Sequence, residues 1–146
     1  MIAIGIDPGK SGAMSFIFED GSTLSIPFDE SDYIYYLSKR TADECFCVLE
    51  KVSSMPHQGI ASTFSFGQNF GWIMGVLEAF EIPFQLVRPQ EWKKHFGCTS
   101  DKNTSVQVAK RLFPNAQLLR TEKSRKDDDG IAESLLMAEY ARRMHK

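Results

Sequence analysis

Met1-Ile2-Ala3-Ile4-Gly5-Ile6-Asp7-Pro8-Gly9 runs an apolar strand straight into a carboxylate and a Pro-Gly turn. A second apolar stretch, Cys45-Phe46-Cys47-Val48-Leu49, ends the same way at Glu50. Two buried strands that deliver acids to one place point to a cation site, because carboxylates are costly in a core unless positive charge neutralises them. A third acidic group, Asp127-Asp128-Asp129 with Glu133, opens the last helical segment. No His or Cys arrangement competes for zinc. Hard oxygen donors of this kind suit Mg²⁺, which keeps positions for water and phosphate oxygens.

Periodicity and chain breakers give the layout around these acids. Ile2 to Ile6 is a first strand, and Ala13 to Glu19 alternates into a second that turns at Asp20-Gly21 toward a third around Thr23 to Ile26. Asp29 to Arg40 reads as a helix with acids in its first turn, and Glu44 to Glu50 as the next strand. A loop from Ser53 to Gly59 leads to a long helix over roughly Ser62 to Phe80, then a short strand over Ile82 to Val87. The remainder is helical: Gln90 to Phe96, Ser100 to Leu112 with Pro114 as its stop, and Asp128 to about Arg143. The order is that of an α/β protein.

Composition sets the outer bounds. The 146 residues suffice for one domain, with an ordinary apolar share of 42% and charged share of 25%. No apolar run reaches the roughly 18 residues of a membrane span, and the start lacks a secretory pattern, so the expected location is the cytoplasm. Cys45, Cys47 and Cys98 are odd in number and read as reduced residues. A net charge of −2 argues against a phosphate-binding protein, but the distribution is uneven. Residues 1–85 hold 4 basic and 11 acidic side chains, net −7, whereas residues 86–146 hold 13 and 8, net +5. The C-terminal part is the expected phosphate-binding face.

Several motifs, in order along the chain, resemble those of the RuvC branch of the RNase H-like nucleases, the Holliday junction resolvases. Gly5-Ile6-Asp7-Pro8-Gly9-Lys10-Ser11-Gly12 is similar to the opening G-x-D-P-G-x-x-x-G, and Val48-Leu49-Glu50 to the second acidic strand. Ser65-Phe66-Gly67-Gln68-Asn69-Phe70-Gly71 resembles the G-Q-x-x-G helix, and Asp128-Asp129-Gly130-Ile131-Ala132-Glu133-Ser134-Leu135-Leu136 the closing acidic helix. Arg88-Pro89, Trp92-Lys93-Lys94, Asp101-Lys102 and Phe113-Pro114 look like a pattern of phage members. The resemblance implies one domain over residues 1–146. It would hold an RNase H-like mixed five-stranded sheet, three antiparallel strands and then parallel ones, flanked by helices. It also implies a homodimer that cuts branched DNA in the bacterial host cytoplasm if phage-encoded.

On this reading Asp7, Glu50, Asp129 and Glu133 hold two Mg²⁺ ions per active site, with Mn²⁺ able to substitute, and hydrolysis leaves a 5′-phosphate. The closing helix departs from the bacterial spacing of two aspartates at i and i+3: three residues beyond Asp129 stands Ala132, while Glu133 lies at i+4. Positions i and i+4 share a helical face, which favours Asp129 with Glu133, Asp128 being the alternative and Asp127 a helix cap. Small Gly5 and Gly9 beside Asp7 would let metal and phosphate approach. Lys102 resembles the family's active-site lysine, with Lys93 and Lys94 the next choices.

Arg88, Lys93, Lys94, His95, Lys102, Lys110, Arg111, Arg120, Lys123, Arg125 and Lys126 are the expected phosphate contacts. Trp92 and Phe96 either stack on unpaired bases or pack the short helix onto the domain. Ser53 stands where the bacterial enzymes carry an aromatic junction wedge, leaving Met55 or Phe64 as substitutes. Gly67, Gly71 and Gly75 form a small-residue row suited to a second helix, or to tight packing on the chain's own sheet. Phe66, Phe70, Ile73, Met74 and Leu77 supply more apolar surface than one face needs. The expected function is a Mg²⁺-dependent endonuclease for Holliday junctions and other branched DNA. The alternatives are an RNA or RNA–DNA hybrid nuclease of the same fold and a non-catalytic nucleic-acid-binding module.

Overall fold

The computed structural model describes residues 1–53 and 57–145. The elements run β1 (Ile2–Asp7), β2 (Ala13–Ile17), β3 (Thr23–Pro27), α1 (Glu30–Leu37), β4 (Cys45–Glu50), α2 (Ile60–Ala79), β5 (Phe84–Val87), α3 (Pro89–Phe96), α4 (Lys102–Leu112) and α5 (Asp129–Met144). The strands form one five-stranded sheet in the order β3-β2-β1-β4-β5. β1, β2 and β3 pair antiparallel, whereas β4 joins β1 and β5 joins β4 in parallel. This is the expected mixed sheet. Its central strands are apolar on both sides because both faces are covered.

Alternation of side chains sorts the core into two layers. Ile4, Ile6, Cys47 and Leu49 face Tyr33 and Leu37 of α1 and Ile73 and Leu77 of α2. Ala3 and Val48 face the opposite way, toward Trp92 of α3, Ala109 of α4 and most of α5. α5 is buried almost throughout its first ten residues, as befits a helix wedged between sheet and α4. It lies so close to β1 that a Cβ on Gly5 would overlap the backbone at Ser134 and Ala138. The small residue at position 5 therefore serves helix packing, and not, as expected, the approach of a phosphate. A buried hydroxyl pair, Ser15 Oγ and Ser134 Oγ at 2.7 Å, fixes the rotation of α5 over the sheet.

Several boundaries differ from the sequence reading for local reasons. α2 begins at Ile60, behind Gly59, which offers no side-chain cap. Its far end closes by a Schellman-like bond from Ile82 N–H to Leu77 O, with Glu81 left-handed at φ 58°, so Ile82 belongs to this cap and β5 starts later. Cys45, Cys47 and Cys98 are free thiols. No helix among the described residues is long and apolar enough to cross a membrane.

Candidate active site

β1 and β4 run parallel with Ile6 beside Leu49, so the next residues, Asp7 and Glu50, leave neighbouring strands side by side. Both continue the face that Ala3 and Val48 present to α5. Asp128 caps α5 by accepting from Ile131 N–H at 2.9 Å, which brings Asp129 and Glu133, on one helical face at i and i+4, close to these strand ends. The Lys102 ammonium at the start of α4 reaches both, at 3.2 Å from Asp129 and 3.5 Å from Glu133.

The electrostatics record how closely the groups face one another. Burial pushes the Asp7 carboxyl well above the usual range, and Glu50, Glu133 and Asp129 push it further against the pull of Lys102. Burial also raises Glu50, offset by a hydrogen bond from Trp92, and raises Glu133, offset by Lys102 and Lys93. Burial lowers the affinity of Lys102 for its proton, but Glu133, Asp129 and Asp7 outweigh it and hold the ammonium charged. Glu133 Oε2 is sealed from solvent with no hydrogen-bond partner among the described residues. A buried carboxylate oxygen without a donor is costly and unusual.

The donor set is all carboxylate oxygen, which fits a hard divalent cation. The side chains do not stand as a closed shell. Among the described residues no three acidic, His or Cys side chains are gathered tightly enough to hold an ion as placed. They lie close enough to repel one another, with the Lys102 ammonium paired to the two on α5.

Two partners of this cluster escaped sequence reasoning. Trp92 is fully buried and its Nε1–H donates to Glu50 Oε2 at 2.8 Å. Asn69 of α2 accepts from Gly9 N–H at 2.7 Å and so holds the turn that follows Asp7. Both left a signal: a buried indole needs an acceptor, and Asn69 interrupts the apolar stripe of Phe66, Ile73 and Leu77 at helical spacing. Gly9 is required by its φ of +108° and by Phe66, whose ring would touch an added Cβ.

The remaining candidates have the following neighbours, and of the two alternatives for Trp92 and Phe96 the structure has the packing one. Trp92 and Phe96 pack α3 into the core and have no face free for a base. Arg120 ties the start of α5 to the turn after β1, pairing with Asp128 at 2.7 Å and donating to Ser11 O at 2.6 Å. Asp128, the alternative ligand, spends both oxygens on Arg120 and the helix cap, while Asp127 pairs with Lys110 and caps nothing. His95 meets Arg143, and Arg88 pairs with Glu91.

Lys93 lies over the Trp92 ring near the acids, and Lys94, Arg111, Lys123, Arg125 and Lys126 are exposed. Of the wedge substitutes, Phe64 is exposed on α2, and Met55 lies outside the described residues. Gly67, Gly71 and Gly75 face open space, so they do not pack on their own sheet. The apolar residues thought to exceed one face are absorbed inward: Ile73 and Leu77 are buried, while Phe70 and Met74 are half-buried against the core and Phe66 against Gly9.

No protein-family model matches this sequence, and no curated protein matches it. Solved structures do. The chain superposes on Thermus thermophilus RuvC in complex with a Holliday junction substrate with a TM-score of 0.62, at 12% identity, over 99% of this chain and 97% of that one. A second Thermus thermophilus RuvC structure matches with a TM-score of 0.55, at 14% identity and the same coverage. The fold is RuvC-like and belongs to the RNase H-like class.

Proposed function

We propose that the chain is a divalent-metal-dependent endonuclease of the phage RuvC type, a single domain over residues 1–146 that acts on branched DNA as a homodimer in the cytoplasm. The observation that supports this reading is the meeting of Asp7, Glu50, Asp129 and Glu133, from two strands and a helix, in one partly buried cluster beside Lys102. Such a cluster repels itself, and one carboxylate oxygen of Glu133 has no donor among the described residues. Structure alone would be better served by apolar residues.

In this reading Asp7, Glu50, Asp129 and Glu133 hold two Mg²⁺ ions, or Mn²⁺ in their place. Bound there, the ions supply charge neutralisation at the scissile phosphate and a hydrolytic water, leaving a 5′-phosphate on the product. Trp92 keeps Glu50 from rotating away, and Asn69 keeps the Asp7 turn in register with β4. Lys102, relieved of its two carboxylates, neutralises the charge that grows on the phosphate. Lys93, Lys94, Arg111, Lys123, Arg125 and Lys126 hold the arms of the substrate through backbone phosphates, joined by Arg88 and Lys110 when their ion pairs open.

The test compares a labelled four-way junction with a linear duplex and an RNA–DNA hybrid, each with Mg²⁺, Mn²⁺ or EDTA. Cleavage of the junction alone, only with metal, is expected. Preference for the hybrid would move the substrate to RNA, and full cutting in EDTA would overturn the metal mechanism.

A further inference from the structure

Beside the turn after Asp7, on its α2 side, Lys10, Ser62, Ser65, Phe66 and Asn69 line a recess of about 190 Å³. Pockets for drug-sized molecules begin at roughly 300 Å³, so this one admits a small group or a short length of backbone. Its polar groups share one character. Lys10 brings an ammonium, Ser62 and Ser65 bring hydroxyls, and no carboxylate is among the described residues that line it.

Asn69 decides the polarity. Its side chain is only 7% exposed, and Gly9 N–H at 2.7 Å fixes Oδ1 as the acceptor. The amide therefore cannot be flipped, and Nδ2 presents two hydrogens on the other side. They meet no acceptor among the described residues, and Nδ2 is not sealed from solvent, so they open onto the recess that the side chain lines. The adjoining start of α2 adds the same sign: Gly59 gives no side-chain cap and the first turn carries no acid. No acid of the first turn offsets the positive end of the helix dipole, which lies just ahead of Ser62.

We propose that this recess is a phosphate subsite that seats a backbone phosphodiester of the substrate strand near the one cut at Asp7. The proposal rests on the endonuclease reading above. Lys10 is three residues from Asp7, a span of at most about 10 Å in extended chain. Duplex DNA rises about 3.4 Å per nucleotide along its axis, so with side-chain reach added the seated phosphate falls within a few nucleotides of the cut. Because the same Asn69 amide holds Gly9, a phosphate seated on Nδ2 sets the strand in register with the Asp7 carboxylate.

The experiment first maps the cut in Mg²⁺, then measures binding in EDTA to four-way junctions with one neutral methylphosphonate at each of three positions on either side. One position is expected to weaken binding by about fivefold or more, the loss of a charge-assisted contact. Lys10→Met and Ser62→Ala, both at exposed positions that do not threaten folding, should be nearly insensitive at that position alone. Lys10→Met should also lower the salt slope by about one. Variants that keep the unmodified protein's profile would overturn the subsite while leaving the nuclease reading intact. Failure to bind branched DNA at all would overturn both. In a separate arm, inorganic phosphate is titrated into labelled protein and followed by NMR. Saturation of Lys10 and Asn69 below millimolar phosphate, with a flat DNA profile, would mark a site for free phosphate and overturn the proposal.

Discussion

The indole of Trp92, fully buried, donates its single N–H to Glu50 Oε2 at 2.8 Å, 42 residues away in sequence. One Glu50 oxygen is thereby fixed, and with it the plane of the carboxylate. Trp92→Phe preserves most of the packing and deletes this bond alone. Partners that orient a metal-holding carboxylate typically contribute about 10- to 100-fold in affinity or rate. Mn²⁺ titration of the Trp92→Phe protein should show that loss while its melting stays cooperative. An unchanged Mn²⁺ affinity would reduce Trp92 to a packing residue.

Asp7→Asn is expected to abolish cleavage and keep junction binding, and it also carries a pH signature. The Asp7 carboxyl is raised in the folded protein by burial first and then by Glu50 and Glu133. A raised acid is harmless while protonated in both states. As pH climbs past the unfolded value near 4, only the unfolded chain ionises freely, so stability falls until the pH passes the folded pKa. Without metal, Asp7→Asn should therefore melt with the unmodified protein near pH 4 and above it as pH rises, by about 3 °C for each kcal/mol. Thermal melts in EDTA from pH 4 to pH 8 check this. Coincident curves would refute the electrostatic picture.

The two acidic strands were legible because a parallel sheet leaves little choice: apolar runs ending in Asp7 and Glu50 can pair side by side only with the acids at the same edge. What lay between distant segments was not. Nothing near Glu50 in sequence names Trp92 as its partner, and nothing near Gly5 reveals that α5 presses on it. Three consecutive aspartates leave the cap ambiguous until Arg120 is seen to return and select Asp128. The glycine row of α2 was visible as a pattern, but which side it faced depended on the register of the whole helix against the sheet.

That row yields a third expectation. A Cβ at Gly67, Gly71 or Gly75 would meet nothing within 4 Å among the described residues, and Ile60 and Phe64 are exposed further along the same face. Gly71→Leu therefore fits the monomer and improves helix propensity by up to about 1 kcal/mol. If a second copy packs on this face, the same change should split the dimer in sedimentation and turn paired cuts into single nicks, with no loss of melting temperature. An unmodified protein that sediments as a monomer at working concentration would remove the basis for this expectation.

The last prediction separates the acids at the start of α5 by what each one touches. Asp129 and Glu133 share Lys102 and face the strand acids, so Asp129→Asn and Glu133→Gln should each lower turnover by orders of magnitude while the fold persists. Asp128 instead caps the helix and holds Arg120. Asp128→Ala should cost about 2–4 kcal/mol of stability, the sum of a lost cap and a lost charge-assisted bond. Asp128→Asn keeps a good capping residue and should be milder, with turnover per folded molecule near normal. Asp127→Asn loses only the pair with exposed Lys110, worth no more than about 1 kcal/mol. Urea denaturation beside single-turnover cleavage reads the two effects apart. A Glu133→Gln protein that cuts junctions at the normal rate, alongside an inactive but stable Asp128→Asn, would mean that the metal-facing side of α5 is turned by one residue.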